Sequence, residues 1–362
     1  KQLLAYCLSI ILCVSFTGCM ENYLDLYPED KITSASFPEN ESDIKLLLNG
    51  VYAQLREKEV YNQGLFGFGI TDGATPNAFN WGTDEVFNKL GAGRLSSSDG
   101  GVVTYRWKRC YEIISRANYL LACMDLVDLS EEAKAKYSGE THFLRGLAYS
   151  VLAETYGGVP IILTNISTEE ARSLKRASLE ETWQQALDDY EVAITNLGVD
   201  APEPGRATKG AALGMKMRAY LYQGKYKEVL ACVEQIDALK KYGLFHSYEG
   251  LFDPANENNK EVLFDIQYIE GENSQGSYID QYCGTGTGSW TRGSRYVPTD
   301  DLVAAYETID GSPVDPENPY ENRDPRLGFT AVLPGSYFLG YRFPNYLYPG
   351  GEIGRASCRE RV

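Results

Sequence analysis

Histidine is nearly absent: His142 and His246 are the only two in 362 residues. A zinc site needs paired nitrogen or sulfur ligands at close spacing, and the eight cysteines contain no C-x-x-C pair. No metal or other cofactor is therefore expected. The same shortage argues against a serine hydrolase, since two histidines leave little choice of general base and no G-x-S-x-G elbow occurs. Cations are also scarce, with 34 Lys and Arg against 50 Asp and Glu. Phosphate binding needs clustered cations, so this balance argues against nucleic acid as a partner. The glycine run "GTGTG" at Gly284–Gly288 lacks the Lys-Ser or Lys-Thr of a phosphate loop and opens no helix. It reads as a turn.

One apolar run is present, from Leu3 to Phe16 behind Lys1, and it ends in Thr17, Gly18 and Cys19. It is shorter than the about 20 apolar residues of a membrane span. Its layout is that of a bacterial secretory signal, residues 1–18, with Cys19 where a lipoprotein signal peptidase would leave a lipid-bearing N-terminus. Of the other cysteines, Cys110, Cys123 and Cys232 fall on apolar helical faces and read as buried thiols. Tyrosine is plentiful, at 27 residues. Its flat apolar face and polar tip suit sugar rings and wet interfaces.

Helical periodicity dominates the first 250 residues. "SDIKLLLNGVYAQLRE", with Ser42 as expected N-cap, places Leu47, Leu48, Val51, Tyr52 and Leu55 on one stripe. "YRWKRCYEIISRANYLLACM" follows with Trp107, Cys110, Ile113, Ile114, Ala117, Leu120 and Leu121 in register, and "GETHFLRGLAYSVLAETYGGVP" closes on Gly157, Gly158 and Pro160. A capping box, Ser178 and Glu181, opens the helix "LEETWQQALDDYEVAITNL". Trp107 and Trp183 sit in helical register and read as core. Next, "TKGAALGMKMRAYLYQ" and "KYKEVLACVEQIDAL" form a pair around Gly224, with Ala211, Ala212, Met215 and Ala219 expected to face Tyr226, Val229, Leu230 and Val233. This pair has the character of a tetratricopeptide unit, whose helices need stacked neighbours to bury their faces. Residues 60 to 100 are aperiodic and read as a long structured loop. From about Leu251 the texture turns to Gly, Asn, Tyr, Asp and Pro, with short strands such as "EVLFDIQY" expected to pack across the helical stack.

"NYLDLYPED", "LNGVYAQL", "RWKRCYEIISRANYLL", "HFLRGLAYSVLAETYGGVPIIL", "RASLEETW", "KGAALGMKMRAYLYQGKYKEVL" and "RDPRL", in this order behind Cys19, make the chain resemble the SusD/RagB family, outer-membrane nutrient-binding lipoproteins of Bacteroidetes. The resemblance implies a mainly α fold, a tetratricopeptide-like superhelix over 19–250 with a loop-rich region over 251–351. It also implies a lipid anchor at Cys19, exposure on the outer membrane, pairing with a SusC-like TonB-dependent transporter, and capture of oligosaccharide or, in some members, peptide, without catalysis. Family members run longer and end in another helical unit. Here residues 352–362, "EIGRASCRERV", read as a translated sequencing adapter.

Sugar capture needs aromatic faces beside amide, carboxylate and guanidinium groups. Two stretches combine them. "TDGATPNAFNW" offers Asp72, Asn77, Asn80 and Trp81, and "GTGTGSWTRGSRY" offers Trp290, Arg292, Arg295 and Tyr296. In the starch-binding archetype of the family, the ligand is likewise held by aromatics from the early loop and the later irregular region. Arg323, Asp324 and Arg326 of "RDPRL" read as a structural salt-bridge cluster. The competing class is a secreted glycoside hydrolase, which would need two facing carboxylates, and the sequence singles out no such pair.

Overall fold

Apolar stripes at helical spacing can be buried only against other stripes, and the chain solves this by stacking its helices in sequence order. The computed structural model describes residues 37–57, 72–80, 89–96, 98–268, 296–338 and 341–342. The apolar leader, Cys19, Cys283 and the tail after Gly351 lie outside them.

Helix α1 (Glu41–Ala53) buries Ile44, Leu48 and Val51. Its cap is Asn40 rather than Ser42: the Asn40 Oδ1 accepts from the backbone N–H groups of Ser42 at 2.9 Å and Asp43 at 3.2 Å, satisfying two orphan donors at once. Helix α2 (Val102–Cys123) buries Cys110, Ile113, Ile114, Ala117 and Leu120, in the expected register. The free thiols of Cys110, Cys123 and Cys232 are buried, and burial pushes that of Cys110 up to about 12.

Helix α3 (Glu131–Tyr156) is the axis of the stack, buried on nearly all sides from Gly139 to Ala153. After the short α4 (Thr168–Ser173), helix α5 (Leu179–Asn196) opens on the Ser178/Glu181 capping box and packs along α3. Two glycines make that approach possible. A Cβ on Gly139 would lie 3.0 Å from Leu197, and one on Gly146 would lie 3.0 Å from the Tyr190 ring. Trp183 is buried, whereas Trp107 is half-buried, edge-on to Tyr156 at 5.2 Å.

Helices α6 (Lys209–Tyr222) and α7 (Tyr226–Ala238) follow as an antiparallel pair turned at Gly224, whose φ of 69° favours glycine. Their contact face differs from the expected one. Cys232 is the buried residue of α7, flanked by half-buried Val229 and Ile236 at i−3 and i+4, while Tyr226, Leu230 and Val233 are exposed on a stripe rotated away from α6.

The later segment does pack across the stack: Phe264 meets Phe143 of α3 edge-to-face at 4.9 Å. "EVLFDIQY" itself forms no strand. Among the described residues, strands occur instead as two short antiparallel pairs, β1 (Ala78–Asn80) with β2 (Tyr296–Pro298) and β3 (Tyr337–Phe338) with β4 (Tyr341–Arg342). Two short helices, α8 (Asp300–Ala305) and α9 (Arg326–Thr330), complete the described fold. Within "RDPRL", Arg326 pairs with Asp324, holding its carboxyl down at about 2. Arg323 stands apart from that pair, buried and donating to the carbonyls of Pro319, Val303 and Tyr306. It is a backbone clamp.

His142 carries a pH consequence. Its Nδ1–H donates to the Ser138 carbonyl at 2.8 Å, and burial lowers its pKa below the usual 6.5. The unfolded chain then takes up this proton before the folded one does. Its contribution is therefore fully present above pH 6.5 and is lost as pH falls toward the lowered folded value. His142→Gln is expected to flatten the stability profile over this window, measured by denaturant titration at stepped pH. An unchanged slope would refute it.

Candidate functional site

The two stretches singled out in the sequence meet. Strands β1 and β2 pair antiparallel with Ala78 opposite Pro298, Phe79 opposite Val297 and Asn80 opposite Tyr296. Thr299 extends the pairing: its N–H donates to the Asn77 carbonyl at 3.0 Å and its hydroxyl to the Pro76 carbonyl. The same hydroxyl accepts from Leu302 N–H at 3.1 Å as the N-cap of α8. One side chain thus ties the ribbon to the helix behind it. Pro298, lacking an N–H, sits where the two-stranded ladder ends.

The other flank is equally held. Asp72 to Ala74 form a single 3-10 turn, closed when Thr75 donates its N–H at 2.9 Å and its hydroxyl at 2.8 Å to the Asp72 carbonyl. Gly91 approaches this turn so closely that a Cβ would lie 3.3 Å from Ala74 backbone atoms. Its own segment is closed by Lys89 and Asp99 at 2.8 Å, and that ammonium with Ser96 lowers the Asp99 carboxyl to about 2. An aperiodic sequence therefore forms a defined platform, because its polar groups are satisfied locally.

Of the residues expected to bind, Asp72 and Asn77 are exposed on this platform. Asn80 and Tyr296 are described in backbone only, as cross-strand partners. Trp81, Trp290, Arg292 and Arg295 lie outside the described residues, with Trp81 next in sequence after Asn80. Further back along the chain from each stretch, Arg56 and Gln267 line one cleft. Thr299 was not among the residues expected from the sequence. Its signal was the N-cap pattern Thr-Asp-Asp at 299–301.

Among the described residues, no group of three His, Cys, Asp or Glu side chains converges as a metal site. No described helix is long and apolar enough to cross a membrane.

A stack of paired helices that carries a clamped two-strand ribbon defines a helical-repeat fold. The family comparison is more specific. Residues 22–221 match the family model described as "Starch-binding associating with outer membrane", and residues 260–356 match that of the SusD family. The chain belongs to the SusD/RagB family. A SusD-like protein of Formosa agariphila is 26% identical over 321 residues, covering 82% of this chain and 58% of its own length. One from Bacteroides ovatus is 24% identical over 276 residues, covering 70% of this chain and 48% of its own length. The chain thus spans about half the length of the curated relatives it matches. A crystal structure described as a SusD-like carbohydrate binding protein from Bacteroides fragilis superimposes with a TM-score of 0.74 at 28% identity, over 83% of this chain and 61% of that one. A laminarin-binding SusD-like protein shares the fold, with a TM-score of 0.58 at 23% identity over 62% of this chain and 51% of that one.

Proposed function

We propose that the protein is a lipoprotein of the outer-membrane surface, anchored through Cys19, which captures oligosaccharide on its ribbon platform and delivers it to a SusC-like TonB-dependent transporter. It acts as a binder, without catalysis. The observation that carries this reading is the β1–β2 register, which joins the stretch holding Asp72, Asn77, Asn80 and Trp81 to the one holding Trp290, Arg292 and Tyr296. Aromatic, hydrogen-bonding stretches that adjoin this ribbon in the chain suit a chain of pyranose rings, whose faces are apolar and whose edges are polar. Support also comes from the carbohydrate binding attributed to the Bacteroides fragilis structure and from the outer-membrane association in the family description.

Affinity electrophoresis in gels containing candidate polysaccharides tests this. Truncating a Trp at a binding centre typically costs about 2 kcal/mol or more, roughly 30-fold in affinity. Wild-type migration should be retarded by at least one glycan, and Trp81→Ala with Trp290→Ala should abolish the retardation. Retention of peptides but of no glycan would overturn the sugar reading, and release of free sugar by the purified protein would overturn the non-catalytic one.

A further inference from the structure

Away from the ribbon, the helical body carries a cleft of about 340 Å³, walled by the end of α1 and the turn after it, by residues 203–206 and by residues 264–267. This volume falls at the lower end of the roughly 300–1,000 Å³ typical of small-ligand sites. No described ribbon residue lines it.

Its floor is fixed before any ligand arrives. The Arg206 guanidinium lies over the Tyr52 ring at 4.9 Å and donates to Asn49 Oδ1 at 2.5 Å and to Glu140 at 3.5 Å. The Tyr52 hydroxyl donates to Glu140 at 2.7 Å and accepts from the Ala207 N–H at 2.9 Å. Glu140 is 2% exposed, and burial raises its pKa despite the nearby cation. One wall is brought close by Gly205, whose φ of 76° and missing Cβ let Gln267 sit where a Cβ would be only 2.7 Å from its Cγ.

The remaining polar groups are held but unspent. Gln267 donates to Asp265 Oδ2 at 2.7 Å, which leaves the Gln267 carbonyl oxygen and Asp265 Oδ1 without a hydrogen bond among the described residues. Arg56 is half-buried on the cleft wall with no hydrogen-bond or ion-pair partner among the described residues. The hydroxyl of nearby Tyr268 is buried and likewise has no partner among them. Held in place with hydrogen-bonding capacity still free, the Arg56, Asp265 and Gln267 side chains give a pre-shaped cleft the convergent donors and acceptors that a polar ligand needs. Charge decides its class. Arg56, Arg206, Asp265 and Glu203 line the cleft together, a balanced set that favours neither an anion nor a cation. A guanidinium beside acceptor oxygens matches neighbouring hydroxyls, each of which donates and accepts.

We propose that this cleft is a second binding site, separate from the ribbon, for a single neutral polyol ring of monosaccharide size. Saturation-transfer-difference NMR of the whole chain with a panel of aldohexoses and aldopentoses tests it. At least one sugar should receive saturation, and its affinity should fall at least tenfold in both Arg56→Ala and Asp265→Asn while thermal midpoints stay at the wild-type value. The Trp81→Ala/Trp290→Ala variant should bind that monosaccharide unchanged while losing polysaccharide retention, so the two sites fail separately. Absence of transfer to every sugar, wild-type affinity in Arg56→Ala, or loss of transfer in the double Trp variant would overturn the proposal. Should Arg56→Ala unfold, Asp265→Asn, which preserves shape, decides between the same two outcomes.

Discussion

Replacing Arg145 with Met should destabilise the protein by about 3–5 kcal/mol, the usual cost of stranding a buried charge. Arg145 on α3 and Asp189 on α5 have side chains 7% and 2% exposed. Their contact is a fork: Arg145 Nη2 donates to Oδ1 at 2.7 Å and Nε to Oδ2 at 3.0 Å. The third arm, Nη1, donates to Asn118 Oδ1 of α2 at 2.8 Å. Asn118 passes the connection on, its amide donating to the carbonyls of Ile162 at 2.9 Å and Thr164 at 3.3 Å. One guanidinium thus joins three helices and the segment leading from α3 to α4. Met fills much of the space but leaves the Asp189 carboxylate without its partner. The companion measurement is the Arg145→Met/Asp189→Leu double variant, which removes both charges and should recover most of the loss in denaturant titration. A single-variant cost below about 1 kcal/mol, or a double variant no better than the single, would contradict this expectation.

This network also marks where sequence reading ends. Periodicity placed α1, α2, α3 and α5 because each stripe is a local pattern, and the Ser178/Glu181 box fixed a helix start through residues three apart. The buried fork was not local. Arg145 stands amid "HFLRGLAYS", apolar or small on every side, which is the trace of an all-round buried helix, but nothing near it names Asp189 as its partner. The α7 face was misassigned for a related reason. Tyr226, Leu230 and Val233 are as apolar as the line through Cys232, so composition could not say which line meets α6. Aromatic and polar content drew attention to both halves of the candidate site. Their pairing was invisible, because β1 and β2 are three residues each and lie over two hundred residues apart in the chain. Such short strands carry almost no periodic signal, and their register is set by Thr299 and the turn around Asp72.

The second large effect should come from a single methyl group. In Gly158→Ala the added Cβ would lie 2.0 Å from the Ala177 carbonyl oxygen, 2.8 Å from the Ser178 carbonyl carbon and 3.0 Å from the Leu179 nitrogen. All three are backbone atoms, so no rotamer change relieves the overlap. The strands of chain involved are also stitched together: Ala177 N–H donates to the Val159 carbonyl at 3.0 Å, and Arg176 donates to the carbonyls of Gly158 and Tyr156, each at 2.6 Å. Separating them means moving the exit of α3 away from Ser178, whose capping box opens α5 and is itself worth about 1 kcal/mol. Overpacking relieved by small shifts costs about 1–3 kcal/mol, and here only hydrogen-bonded backbone could shift. The expected loss is therefore above about 3 kcal/mol. Gly157→Ala is the control, since that site has a φ of 74° but no atom within 4 Å of a built Cβ. It should lose only the about 1–3 kcal/mol of backbone strain. Thermal midpoints of the two variants separate the causes: Gly158→Ala falls further if steric exclusion dominates. A larger drop for Gly157→Ala would mean that the close passage of these two segments relaxes on substitution, and that backbone conformation rather than contact fixes the junction of α3 and α5.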